Sequence, residues 1–286
     1  MESVKRLKVT TLADNLTYHG RLLGQWGLSF LLEIEDKHGK ARKIIIDSAA
    51  QMNALLFNID RLKIDLRGLE AIVLSHGHRD HTAATVELAK RSRRRVRVFA
   101  HPHTFKSRYL ATKKGRKWSR IPKGERIEDL ERAGARLILA REPQEIIPGV
   151  MTTGEIPRLT SYEKIPRALG KRFIVIEGRP QRDQILDDQS LIVNVRGQGA
   201  WVLSGCAHSG IINTLKRVKD ISPSSSVHAV IGGFHLVSKK EHEIKPIIDA
   251  LKGYKPKLIS PCHCTGFLAT RMIWDAFEKE FILNFS

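Results

Sequence analysis

The chain is short of cysteine, of long apolar runs and of acids, and each shortage excludes something. Three cysteines in 286 residues cannot all pair, and Cys262 and Cys264 flank His263. That argues against the disulfide scaffold of a secreted protein and for a reducing, cytoplasmic setting. No apolar stretch approaches the roughly 18 residues of a membrane span. The start, Met1-Glu2-Ser3-Val4-Lys5-Arg6, lacks the apolar core of a secretory signal. Hydrophobic residues make up 42% of the chain, which excludes a disordered protein. The length suits one two-sheet domain over 1–286, and neither a tandem repeat nor a linker divides it.

The shortage of acids is uneven. There are 30 Asp and Glu against 49 Lys and Arg, a formal net charge of +19. Between Lys90 and Arg126 stand 15 basic residues and one acid, Glu125. A uniformly basic protein would spread that charge.

What is present in force is histidine with acid at close spacing. His76-Gly77-His78-Arg79-Asp80-His81 packs four potential metal ligands into six residues. It follows an apolar strand-like run, Leu69 to Leu74, and precedes a helix-like segment, Thr82 to Arg91. On a tight loop, His76 and His78 can face one way and Asp80 and His81 the other. One cation would then take two imidazoles and a second a carboxylate and an imidazole. Imidazole suits Zn, Fe and Ni, while carboxylate shifts the preference toward harder ions.

Other strands are expected at Leu7 to Ala13, Leu28 to Ile34, Lys43 to Asp47, Val96 to Ala100, Arg136 to Ala140, Arg172 to Glu177, Ser190 to Val195, Ala200 to Ser204, Val227 to Gly232 and Lys257 to Ser260. The second and third form a hairpin across Asp36-Lys37-His38-Gly39-Lys40. Helices are expected at Ile127 to Ala133, Ile211 to Lys219, Glu241 to Lys252 and Gly266 to Lys279. Lys106 to Arg126 has poor periodicity and reads as a long basic loop or flap, centred on 104–126. The pattern favours an α/β two-sheet sandwich over strict βαβ alternation.

His208 and His263 each follow a strand end beside small residues, so both are expected to join the metal loop as ligands. His235 fits the same pattern as a ligand, a residue orienting a ligand, or a substrate contact. His228 reads as a packed strand residue; His19, His38 and His242 read as surface. Asp47 ends a hairpin strand, either to orient a ligand histidine or to cap a helix. Cys206 reads as a small buried residue, in preference to a nucleophile paired with His208 or part of a zinc knuckle.

The loop and four further segments carry a family resemblance. These are Thr153-Gly154-Glu155-Ile156-Pro157-Arg158, Ser204-Gly205-Cys206-Ala207-His208-Ser209-Gly210, Ile231-Gly232-Gly233-Phe234-His235-Leu236 and Pro261-Cys262-His263-Cys264-Thr265-Gly266. The chain resembles the metallo-β-lactamase superfamily, and within it the dihydropterin-ribofuranosylaminobenzene 5′-phosphate synthase-like branch. The resemblance implies a four-layer αββα sandwich with metals at one edge between the sheets. Many relatives carry a metal-bridging Asp after a late strand, where this chain runs Gly205-Cys206-Ala207-His208. Many also carry a histidine ligand where this chain has Thr153-Gly154-Glu155.

The resulting expectation is a metal-dependent hydrolase with a mono- or dinuclear site. His76 and His78 would hold the first cation, Asp80 and His81 the second, and His208 and His263 would complete the set. Zn is the first choice, with Fe, Mn or Ni as alternatives. Two such cations would activate water, with Asp80 and His208 as the residues closest to the chemistry. The partner would be a small anionic substrate, phosphorylated or ester-containing, such as a pterin-related phosphate or pyrophosphate. His235, Arg158, Lys117 and Trp118 would bind it. Cations interleaved with Phe99, Phe105, Tyr109 and Trp118 suit an anionic, ring-containing ligand. They also suit single-stranded nucleic acid, so a nucleic-acid binder or nuclease is the second reading. A solvated face is the third.

Overall fold

A computed structural model describes residues 1–17, 20–119, 124–164, 171–222 and 226–286 of the chain. The first half contributes β1 (Arg6–Ala13), β2 (Ser29–Glu35), β3 (Ala41–Ile46), α1 (Met52–Arg61), β4 (Ala71–Val73), α2 (Arg79–Thr82), α3 (Thr85–Arg91) and β5 (Arg97–Ala100). It continues with β6 (Arg108–Thr112), β7 (Gly115–Ser119), α4 (Ile127–Arg132) and β8 (Arg136–Leu139). The second half runs β9 (Glu145–Ile147), β10 (Val150–Thr152), β11 (Arg172–Ile176), β12 (Arg179–Arg182), β13 (Ser190–Val195) and β14 (Gly199–Ser204). It closes with α5 (Ile211–Ile221), β15 (Val227–Gly233), α6 (Glu241–Tyr254), β16 (Leu258–Cys262), a 3-10 turn (His263–Thr265) and α7 (Phe267–Ala276).

Two six-stranded sheets form, in the orders β1-β2-β3-β4-β5-β8 and β16-β15-β14-β13-β10-β9. The central strands are nearly continuous apolar runs because both faces of each sheet are covered. Side-chain alternation splits each run between two cores. Phe30, Leu32, Ile44, Ile46 and Val73 meet Leu191, Val193, Leu203 and Ile231 between the sheets. Leu31, Ile45, Ile72 and Val98 point the other way, onto Leu55 and Ile59 of α1, Leu88 of α3 and Leu130 of α4. Ile192, Val202 and Val230 do the same toward α5, α6 and α7. Helix, sheet, sheet, helix is the four-layer αββα sandwich.

Pairing changes from antiparallel to parallel within each sheet. β3, β4, β5 and β8 run parallel, as do β14, β15 and β16. Parallel strands deliver all their C-terminal ends to one edge, where ligand-binding loops gather. Asp47 follows β3, His76 β4, His208 β14, His235 β15 and His263 β16. Among the described residues, no helix is long and apolar enough to cross a membrane.

The structure departs from the sequence reading in several elements. The basic stretch is not a long loop: β6 and β7 form a hairpin with Thr112 opposite Gly115, and β11 and β12 extend it into a four-stranded sheet. Charged residues on the strands mask its alternation, and the turn at Lys113-Lys114-Gly115 was read as part of a loop. Residues 120–123 of that stretch, and His19, lie outside the described residues. α1, β9, β10 and β12 had no counterpart in the sequence reading, and the helix expected from Thr82 is two, the first starting at Arg79. The basic run also divides. Arg91, Arg94 and Arg97 pair with Asp60 and Glu70, whereas Lys113 to Lys117 lie on the hairpin.

Candidate metal centre

The metal loop leaves β4 under tight constraint. A Cβ at Gly77 would sit 2.2 Å from the Thr104 carbonyl oxygen and 2.6 Å from Arg108 Nη1, so only glycine lets the chain pass. The Gly77 N–H donates to Asp187 Oδ2 at 2.7 Å. Asp187 also takes Arg108 Nη2 at 2.7 Å, and Arg108 Nε reaches Asp183 at 2.9 Å. This buried pair of carboxylates around one guanidinium fixes the outer side of the loop.

Three imidazole nitrogens converge on its inner side. His76 Nε2 lies 3.0 Å from His78 Nδ1, and His208 Nε2 lies 3.2 Å from each. Ser75 sets the His76 tautomer. Its hydroxyl donates to Asp47 Oδ2 at 2.7 Å, which leaves the oxygen to accept from His76 Nδ1 at 2.9 Å. The His76 Nε2 lone pair therefore faces the other two rings. Burial pushes His76 and His208 well below the usual imidazole range and His78 down to about 4, so all three are neutral at pH 7.

The donors fit a cation. A tetrahedral Zn with bonds of about 2.0–2.1 Å separates its nitrogens by about 3.3 Å, close to the spacing found here. Without a cation, three neutral imidazoles would crowd their lone pairs together. His76, His78 and His208 are thus the residues able to hold a first metal.

Beside this triangle lies a second group, Asp80, His81 and His263, whose donor atoms are all within 4.8 Å of one another. His81 Nδ1 donates to Asp47 Oδ2 at 2.6 Å, which turns Nε2 toward Asp80 Oδ2 at 3.7 Å. His263 Nδ1 donates to Asn15 Oδ1 at 3.1 Å, turning its Nε2 to within 3.5 Å of Asp80 Oδ2. That Nε2 is buried without a hydrogen-bond partner among the described residues, as a ligand atom facing a metal would be. Burial lowers His81, but the Asp47 and Asp80 carboxylates outweigh it and raise the ring to about 9. Burial would raise Asp80, and the neighbouring His81 and His263 instead hold it below the carboxylate range.

Cys206 stands between the two groups. Its Sγ is 3.2 Å from His81 Nε2, and it clusters with His76 and His81, with His208 and His235, and with His263 and Cys264. Cys206 is the small buried residue expected at the strand end, and it also stands between the two donor groups, where the chain carries no carboxylate. A Cβ at Gly205 would come within 2.0 Å of Ser75 Oγ, so glycine there admits the Asp47–Ser75 pair behind the rings. Asp47, Ala207, His235 and His263 all adopt left-handed backbone, with φ of 61°, 50°, 50° and 50°. Such strain, roughly 1–3 kcal/mol per residue, gathers where a site demands a particular geometry.

The metal loop, His208 and His263 are therefore brought together. Asp47 orients His81 and Ser75, and α1 is preceded by Gln51, not by Asp47. His235 packs its ring 4.1 Å from His208 at the mouth. Arg158 stays nearby, donating through Nη2 to the Gln184 carbonyl at 2.6 Å and to that of His208 at 3.5 Å. Lys117 and Trp118, adjacent on β7, face opposite sides of the small sheet, and Trp118 packs on Tyr109. Of the two, Lys117 shares the face from which Arg108 reaches the metal loop, and Trp118 lies on the other. Glu155 binds His101 at 2.8 Å and Arg141 at 2.7 Å, away from the ligand set, so His208 supplies the third imidazole. His228 is only half-buried and stacks on Trp201; His38 and His242 are exposed. Sequence reasoning missed Ser75, Asn15 and Asp187, whose residue types carry no signal until the strand ends are seen together.

Comparison with known proteins agrees with this architecture. A family model described as the β-lactamase superfamily domain matches residues 42–138. A Methanocaldococcus jannaschii protein named 7,8-dihydropterin-6-methyl-4-(β-D-ribofuranosyl)-aminobenzene-5′-phosphate synthase is 35% identical over 281 residues, 97% of this chain and 94% of its own. An uncharacterized protein of the same organism is 31% identical over 91% of each chain. Among solved structures, one described as a metal-dependent hydrolase of the β-lactamase superfamily superposes with a TM-score of 0.76 at 23% identity, covering 98% of this chain and 96% of that one. The chain belongs to the metallo-β-lactamase superfamily, in the branch of the dihydropterin-ribofuranosylaminobenzene phosphate synthase.

Proposed function

We propose that the protein is a metal-dependent hydrolase acting on a small anionic substrate, a phosphate or pyrophosphate of a pterin-like compound. One observation carries the reading: two donor groups, His76/His78/His208 and Asp80/His81/His263, meet around Cys206 in one cleft. Their nitrogen, oxygen and sulfur donors suit Zn first, with Fe the next best match. These residues would hold the cations, whose chemistry there would be Lewis-acid polarisation of a phosphoryl oxygen and activation of a nucleophile at neutral pH.

The chain's own residues do the rest. Asp80 Oδ2, kept ionised and 22% exposed, is placed to take a proton from the attacking group. Asp47 fixes the tautomers of His81 and, through Ser75, of His76, so neither ring must turn during the reaction. Arg158 and His235 flank the opening as contacts for the substrate anion. A cytoplasmic setting is supported by three buried, free cysteines, two of them, Cys206 and Cys264, at the site.

A second reading is supported by the synthase relative: the attacking group would be an aromatic amine rather than water, with pyrophosphate leaving. The test begins with protein stripped by chelator and reloaded with Zn, Fe or Mn. Release of phosphate or pyrophosphate from a pterin-type pyrophosphate should require metal. It should occur without any acceptor if the protein is a hydrolase, and only with an arylamine if it is a synthase. His78→Ala should lose metal and turnover together while its circular dichroism is unchanged. Full metal content in that variant would remove the ligand assignment and the mechanism with it.

A further inference from the structure

The four-stranded sheet β12-β11-β6-β7 meets the metal loop through the Arg108 end of β6, and Arg172 of β11 acts electrostatically on His78. Its pairing register sets Arg182, Phe173, Tyr109 and Trp118 side by side, one from each strand. Residues opposite one another in register share a face. The Phe173 and Tyr109 rings stack at 5.1 Å and 10°, and Tyr109 meets Trp118 at 4.8 Å. Arg116, two residues before Trp118 and hence on the same face, holds its guanidinium 5.0 Å from the centre of the Tyr109 ring. Trp118 is 39% exposed and Phe173 is half-buried, while Tyr109, at 6%, is the buried ring that holds them in place. Arg108, one residue before Tyr109, points to the opposite side, into Asp183 and Asp187 behind the metal loop. The aromatic row therefore turns away from the metal centre.

Charge completes the picture. Segments 106–119 and 171–182 carry nine Lys and Arg against one acid, Glu177, leaving aside Arg108, whose charge Asp183 and Asp187 compensate. Arg91, Arg94 and Arg97, elsewhere in the basic run, each pair with a carboxylate, Asp60 or Glu70. Here the sequence offers no comparable supply of carboxylates. An acidic peptide would use the cations but has no need of a row of rings. A duplex would present phosphates and keep its bases stacked inside. A row of aromatics across adjacent antiparallel strands, flanked by arginines, serves bases that are unstacked and exposed.

We propose that this sheet is a docking surface for single-stranded nucleic acid, with bases stacking on Trp118 and Phe173, which the buried Tyr109 ring supports from between them, and the backbone neutralised by Lys113, Lys114, Arg116 and Arg179. This surface is independent of the reaction at the metal centre. The full-length protein should bind a fluorescein-labelled 20-mer of single-stranded RNA or DNA in anisotropy titrations at low salt. Log affinity should fall with log salt by roughly 0.7 for each phosphate contact. Trp118→Ala should weaken binding roughly tenfold or more, the loss expected for one stacked base. The double variant Lys113→Glu/Lys114→Glu should flatten the salt slope. Circular dichroism and metal content must match the parent in both. The proposal is overturned if no oligonucleotide binds at 50 mM salt, or if Trp118→Ala binds as tightly as the parent. Polyglutamate or duplex competing equally well would mean a merely charged face. Loss of binding in His78→Ala would place the ligand at the metal centre instead.

Discussion

Replacing Arg108 by Met tests the clamp that holds the metal loop from outside. The Arg108 side chain is 8% exposed and its partners Asp183 and Asp187 are 2% and 0% exposed, so all three charges are taken from water. Breaking a buried pair by removing one partner costs about 3–5 kcal/mol, because the other charge is left uncompensated. Methionine fills most of the same volume, so little of that cost is a cavity. Here two carboxylates are left, and one of them also holds the Gly77 N–H. We expect a loss at the upper end of that range, a large part of the about 5–15 kcal/mol that stabilises a typical domain.

The loss must also depend on pH, and its sign follows from Asp187. Burial alone raises this carboxyl, but Arg108, together with the Gly77 N–H, outweighs burial and holds it below the ordinary range. In the parent, the stability this lends is present above the unfolded carboxylate pKa and is lost only as pH falls through the lower folded value. In Arg108→Met, burial acts unopposed by the guanidinium, and the folded pKa moves above the unfolded one. The variant then destabilises progressively as pH rises through that value, so its deficit is larger at pH 8 than at pH 5. Urea denaturation of both proteins at the two pH values measures this. A deficit below about 1 kcal/mol, or one equal at both pH values, would refute the account of a buried, charge-compensated clamp. Arg108→Met/Asp187→Asn should recover part of the loss, since it removes one of the stranded charges.

Two further substitutions probe the centre. Asp80→Asn should lower kcat sharply with little change in KM, because it alters the proton acceptor and one metal donor rather than the substrate contacts; steady-state kinetics in which only KM moved would make Asp80 a binding residue. Gly77→Ala would place a Cβ 2.2 Å from the Thr104 carbonyl oxygen, so we expect a loss of about 1–3 kcal/mol and weaker metal retention, read by denaturation and by metal titration; a variant as stable and as metal-replete as the parent would contradict the close passage of loop and strand.

The sandwich was legible because its central strands leave little choice. Runs such as Leu28 to Ile34 and Lys43 to Ile46 are apolar on both alternating faces, which only a sheet covered on both sides can use. The β6–β7 hairpin was not legible for the opposite reason. Its strands read Arg-Tyr-Leu-Ala-Thr and Gly-Arg-Lys-Trp-Ser, and they are held by pairing and by stacked rings rather than by an alternating apolar face. Pattern reading detects burial, and this sheet buries little. α1 offered only Asp47 as a cap signal, but that carboxylate is taken by Ser75 and His81, and Gln51, at the N-cap, makes no side-chain capping bond.

At the candidate metal centre the six donors that the structure brings together could be named from the sequence, but not how they divide. Spacing alone assigned His76 and His78 to one group and Asp80 and His81 to another, because a short loop has two sides. It could not say that His208 would close the first group while His263 closed the second, since that depends on which strand ends meet. The parallel order β14-β15-β16 decides it, carrying His208 to the His76 side and His263 to the Asp80 side. Cys206 follows from the same step. Two residues before His208 on the turn after β14, it has its Sγ 3.2 Å from His81 Nε2. One turn, after β14, thus supplies both the third imidazole of the first group and the thiol that stands between the two groups.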